Sequence, residues 1–70
     1  ELIGLTVRVE DGRELGQVDE LMQAAGNDVL VVRSPERRGE ILVPLAGPFI
    51  RSIDLDEGLV TVVAVPGLLD

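Results

Sequence analysis

Hydrophobic and polar positions alternate over residues 5–10, Leu-Thr-Val-Arg-Val-Glu. This is the two-residue period of a strand with one buried and one wet face. Asp11-Gly12 follows, a two-residue signal for a tight hairpin turn. Beyond it Leu15, Val18 and Leu21 carry the apolar positions, but the step from Leu15 to Val18 breaks alternation and contains Gly16. A glycine there predicts a bulge or sharp bend. Val18, Leu21, Met22 and Ala25 also fall at helical spacing, so a helix over residues 18–25 competes with the preferred strand. Gly26-Asn27-Asp28 reads as a turn, with Asn27 and Asp28 shaping it through backbone hydrogen bonds. Val29 to Val32 is a continuous apolar run, which suits a strand buried on both faces. We read it as the central strand, paired along both edges.

That strand ends near Ser34-Pro35, and residues 35–39 form a charged, exposed loop. Residues 40–43 read as another strand, halted by Pro44, and residues 45–49 as an irregular turn or a single helical turn. Residues 50–55 resume a strand, residues 56–58 turn, and residues 59–65 form a last strand closed by Pro66-Gly67, with residues 68–70 as a tail. Turns recurring every 8 to 12 residues or so predict an all-β fold. At this length the economical form is a small SH3-like barrel of about five to six antiparallel strands, because closure limits exposed edges.

Seventy residues make one domain, and a core this small is aliphatic by necessity: there is one Phe and no Trp or Tyr. No cysteine is present, so no disulfide supports the fold, which fits a reducing compartment. The net charge is −7, and all six basic residues are Arg. Such a surface opposes docking on phosphate backbones and favours a basic protein partner. No uncharged run approaches the roughly 20 residues of a membrane span, and no signal pattern opens the chain. A cytoplasmic location is the expectation. The chain starts at Glu1 without a methionine, as a piece of a longer protein would.

The blocks Leu2-Ile3-Gly4-Leu5, Asp11-Gly12 and Leu15-Gly16-Gln17-Val18 resemble the start of PRC-barrel domains. Residues 25–32, Ile41-Leu42-Val43-Pro44, Ile53-Asp54-Leu55 and Pro66-Gly67-Leu68-Leu69 narrow this. Together they resemble the C-terminal PRC-barrel domain of the ribosome maturation factor RimM, over nearly the whole chain and in order. The resemblance implies a β-barrel that is not an enzyme and helps assemble the head of the 30S subunit during 16S rRNA processing. It implies binding of the basic small-subunit ribosomal protein S19. It further implies that residues 1–70 are the C-terminal part of a longer factor. The family's N-terminal β-barrel domain, and the tyrosine pair usual just ahead of the Leu-Ile-Gly opening, are missing from this sequence.

The residues offer little for catalysis. With no His, Cys, Tyr, Trp or Lys, the common acid–base and nucleophilic groups and the usual zinc ligands are absent. Asp54 and Asp56 are a carboxylate pair at a turn with no sign of a cleft. A calcium loop counted from Asp54 places Leu59 and Val65 where glycine and glutamate are required. No glycine-rich phosphate motif occurs. Arg37-Arg38 lie beside Glu36 and Glu40 and make a weak basic patch. The expectation is therefore no catalytic residue, cofactor, metal or small-molecule substrate.

For partner binding the candidates are Glu10, Asp11 and Glu14 around the first hairpin, the Asn27-Asp28 turn, and the apolar Pro44, Leu45, Phe49 and Leu68. The acidic members would raise association rate and selectivity toward a basic protein. Phe49 is as well suited to the core. Two other readings stand beside this one. A structural PRC-barrel of the photosynthetic reaction-centre type needs a membrane anchor or acidic proton path upstream. A direct RNA-binding barrel needs a basic face with stacking aromatics, which this composition lacks.

Overall fold

The computed structural model describes residues 2–24, 26–36 and 38–63. Alternation in the first apolar stretch becomes β1 (Thr6–Val9), where Val7 and Val9 are buried and Arg8 between them is exposed. The hairpin that follows is one residue longer than the Asp-Gly signal suggested. Val9 N–H donates to Arg13 O at 2.7 Å and Gly12 N–H to Val9 O at 2.8 Å, which leaves residues 10–12 as the loop. A two-residue loop of the Asp-Gly kind needs positive φ at both central residues. Here Gly12 alone has it, at 104°, while Asp11 keeps a negative φ and its carboxylate accepts from Arg13 N–H at 3.0 Å.

The next segment is strand throughout: β2 (Glu14–Ala24). The helical alternative fails because two register shifts explain the broken alternation. Arg8 faces Glu14 and Val7 faces Gly16, so the ladder shifts at Leu15; Val18 faces Val32 and Glu20 faces Val31, so it shifts again at Asp19. The first shift lets Leu15 and Val18, an odd step apart, both enter the core. Gly16 is indispensable to the bend. Its φ is 140°, and a Cβ there would lie 2.2 Å from the Arg33 carbonyl oxygen. The next residue, Gln17, pairs with both Thr6 and Arg33, so β2 changes partner at this point.

β3 (Asn27–Arg33) runs antiparallel to β2, and β4 (Ile41–Pro44) runs antiparallel to β3. Asn27 and Asp28 already belong to the ladder, facing Ala24 and Gln23, while Gly26 ahead of them lies in the turn. After a turn in which both Phe49 and Ile50 N–H donate to Ala46 O, β5 (Ile50–Asp54) and β6 (Leu59–Val62) form the last hairpin. The sheet order is β4-β3-β2-β1-β6-β5. β3 is paired on both edges as expected, yet the middle of the sheet is β2 and β1. Four ladders are antiparallel; the fifth, β1 with β6, is parallel, in the register Thr6↔Leu59 to Val9↔Val62. Parallel pairing needs a long connection, and all of β2 to β5 supplies it. The last strand stops at Val62, and its expected extension to residues 64 and 65 lies outside the described residues.

Val7, Val9, Leu15, Val18, Leu30, Val32, Val43, Val60 and Val62 form one buried cluster, with Leu45, Phe49 and Ile50 packed against it. A flat six-stranded sheet would be roughly 25 Å wide at the usual strand spacing. One cluster fed by every strand therefore requires the sheet to curl into a barrel. Among the described residues no polar or charged side chain is buried.

Candidate partner-binding surface

Backbone hydrogen bonds string most of the candidate residues along one rim of the barrel. Leu45 N–H donates to Asp28 O at 2.9 Å, Phe49 N–H to Ala46 O at 2.9 Å, Val63 N–H to Phe49 O at 2.9 Å, and Glu10 N–H to Val62 O at 2.9 Å. The rim thus runs from Asp28 through Leu45 and Phe49 to the β1–β2 hairpin, which carries Glu10, Asp11 and Glu14. Asp28, Pro44, Leu45 and Phe49 are half-buried, and Leu45 and Phe49 both pack against the core. Phe49 therefore does core work with one side left to solvent. Only the backbone of Asn27 is described, and Leu68 lies outside the described residues.

The acidic members are partly engaged with neighbouring arginines. Arg13 Nε donates to Asp11 Oδ2 at 2.9 Å, and Arg51 Nε lies 3.8 Å from Glu10 Oε1. The Arg13 backbone N–H, helped by its guanidinium, holds the Asp11 carboxyl below its ordinary pKa. A second network sits further along β2 and β3, where Arg33 bonds Asp19 Oδ2 at 3.0 Å and also Glu40. All these groups are exposed, so water and salt screen each pair and it serves mainly to set local charge. An open groove of about 420 Å³ runs beside the bend, lined by Glu14, Gly16, Gln17, Ser34, Pro35 and Glu36. Its carboxylates are solvent-exposed, and among the described residues no cluster of acidic side chains could hold a metal ion. Among the described residues no helix is long and apolar enough to cross a membrane.

Reasoning from alternation missed one face. On the outside of β2, β3 and β4 the register sets Met22, Val29 and Pro44 in one row and Glu20, Val31 and Leu42 in the next. Leu42 is 48% exposed and Met22 37%. The available signal was the unbroken apolar run Ile41-Leu42-Val43, which on a strand at the sheet edge must place an apolar side chain on each face.

A curled six-stranded sheet with an aliphatic core and an acidic exterior defines a small β-barrel domain. Comparison with known proteins narrows the class. The RimM PRC barrel domain family matches residues 1–68. The ribosome maturation factor RimM of Limosilactobacillus reuteri (strain DSM 20016) is 41% identical over 68 residues, covering 97% of this chain and 40% of that protein. RimM of Geobacter metallireducens is 43% identical over 70 residues, covering 100% of this chain and 39% of that protein. The crystal structure of RimM from Pseudomonas aeruginosa, named there as a 16S ribosomal RNA processing protein, superposes with a TM-score of 0.80 at 35% identity. That superposition covers 91% of this chain and 41% of the other. The chain belongs to the RimM PRC barrel domain family, and it spans about 40% of the length of the curated relatives it matches.

Proposed function

We propose that residues 1–70 are the C-terminal PRC-barrel part of a cytoplasmic ribosome maturation factor. The domain acts without catalysis, docking on ribosomal protein S19 in the head of the 30S subunit while 16S rRNA is processed. The observation that carries this reading is the family match over residues 1–68, with relatives named as ribosome maturation factors. The net charge of −7 supports it, since an acidic domain suits a basic protein and repels bare RNA. The rim from Asp28 through Leu45 to Glu10 supplies half-buried apolar groups with carboxylates at its edge, the usual make-up of a protein interface.

The test is titration of purified S19 into the chain at low and high ionic strength, with Glu10→Lys plus Glu14→Lys alongside. Both side chains are exposed, so the double reversal leaves the core intact. Binding is expected to weaken with salt and with the reversal, chiefly through slower association. Equal binding by the double variant at low salt would refute the acidic-rim account, and absence of any S19 binding would refute the assignment.

A further inference from the structure

The outer face of β2, β3 and β4 is apolar although it lies outside the core cluster, and Met22 and Leu42 on it are exposed. Met22, Val29, Val31, Leu42 and Pro44 occupy five of the six positions in two adjacent cross-strand rows, and Glu20 occupies the sixth. None of them belongs to the core cluster. Leu30, Val32 and Val43, their alternating neighbours, fill the core from the opposite side of the same strands. Val31 stands at 2% exposure between Glu20 and Leu42, while Leu42 and Met22 remain largely open to solvent.

The charge nearest this face is net negative. Glu20 lies within it, and no ion pair among the described residues engages Glu20. The one cation of the next row, Arg33, is held by two carboxylates, Asp19 and Glu40, so that cluster carries a net negative charge. Pro44 joins the face to the rim, because its neighbour Leu45 hydrogen-bonds Asp28.

We infer that this face is a docking surface for a basic protein segment. Such a segment seats an apolar side chain between Met22 and Leu42, with Arg or Lys beside it facing Glu20 and the Asp19–Glu40 pair. The inference rests on the reading of the domain as a protein-binding module and extends its interface from the rim, through Pro44, onto this face. An apolar ledge rimmed by one sign of charge excludes water from its centre and selects the opposite sign at its edge.

The experiment compares Leu42→Arg with Leu55→Arg, using purified S19 as the probe. Leu55 is 62% exposed in the turn after β5, off this face, so both variants change charge and apolar area alike. Retained amide dispersion in the NMR spectrum shows that each is folded. Wild type and Leu55→Arg are expected to bind alike, and Leu42→Arg about tenfold or more weakly, as for loss of an interface hot spot. If Leu42→Arg does not fold, Leu42→Ser takes its place with the same expectation. Equal binding by all three overturns the choice of face and leaves the domain's function standing. Equal weakening in both arginine variants also overturns it, since charge alone would then explain the loss. Absence of wild-type binding overturns both readings. Self-association of the wild type that Leu42→Arg abolishes would assign the face to a second copy of this chain, and so overturn it too.

Discussion

Replacing Gly16 by alanine tests the geometry on which the barrel turns. The added methyl meets the Arg33 carbonyl oxygen at 2.2 Å, the carbonyl carbon at 2.7 Å and the Ser34 Cβ at 3.1 Å. Two of these are backbone atoms, so no side-chain rotation relieves the clash. Placing an L-residue at positive φ costs about 1–2 kcal/mol, and moving the Arg33 backbone aside sacrifices a ladder hydrogen bond worth about 1 kcal/mol. With residual overpacking of about 1 kcal/mol, the total is about 3–4 kcal/mol. A domain of this size has only about 4–10 kcal/mol of stability, and each kcal/mol lowers its Tm by about 4–8 °C. Gly16→Ala is therefore expected to melt at least about 12 °C below the wild type in a circular-dichroism scan. Two controls separate the causes. Gly12 has φ 104° but open space around it, so Gly12→Ala bears the conformational cost alone, about 1–2 kcal/mol. Gly47 has neither positive φ nor a close neighbour, so Gly47→Ala changes stability by less than about 0.5 kcal/mol. Coincident melting of the Gly16 and Gly12 variants would show that β2 does not approach Arg33 as described.

Truncating Leu30→Ala, at 0% exposure in the core, is expected to cost about 2–5 kcal/mol, whereas Leu55→Ala, 62% exposed, stays within about 0.5 kcal/mol; urea unfolding checks both. NMR titration is expected to place the Asp11 carboxyl below its ordinary pKa, and Arg13→Ala to reduce that shift without abolishing it, because the Arg13 backbone N–H is its largest cause and the side chain adds to it. The sign follows from the direction. A folded pKa below the unfolded value stabilises the native state above the unfolded Asp value, near 3.9, and this contribution is lost as pH falls through the lowered folded value. Removing Arg33 as Arg33→Met is expected to cost less than about 1 kcal/mol in a thermal melt, and less still at high salt, because the pairs to Asp19 and Glu40 are exposed.

All six strands are legible in the sequence, most plainly where a strand keeps one register with its neighbours. β1 shows it best, with Val7 and Val9 in and Arg8 out. β2, preferred as a strand, is the least plain, since shifts at Leu15 and Asp19 twice reverse which parity faces the core. Its sequence therefore imitates a helix from Val18 onward. The parallel pairing of β1 with β6 leaves no local trace at all, because it joins residues more than 50 positions apart. Alternation reports the faces of a strand and never its partner. The same limit governs the surface. Charge and turn chemistry pointed to Glu10, Asp11 and Glu14, but that Asp28, Leu45 and Phe49 share a rim with them emerges only from hydrogen bonds between distant segments. Asn27 and Asp28 looked like turn residues because of their chemistry, while the ladder with β2 claims their backbones.

The separation between core and surface decides how the binding tests can be interpreted. Every buried side chain among the described residues is aliphatic, and no described ionisable group is buried. Specification of this barrel therefore rests on packing and on backbone devices such as Gly16, with nothing contributed by buried polar pairs. Substitutions at Glu10 or Glu14 touch neither, and effects at sites without shared partners add nearly independently. A loss of partner affinity from those positions, at unchanged Tm, then measures the interface itself. A loss accompanied by a fall in Tm would instead mean that the exterior helps to hold the cylinder closed, and the division of labour drawn between its two faces would fail.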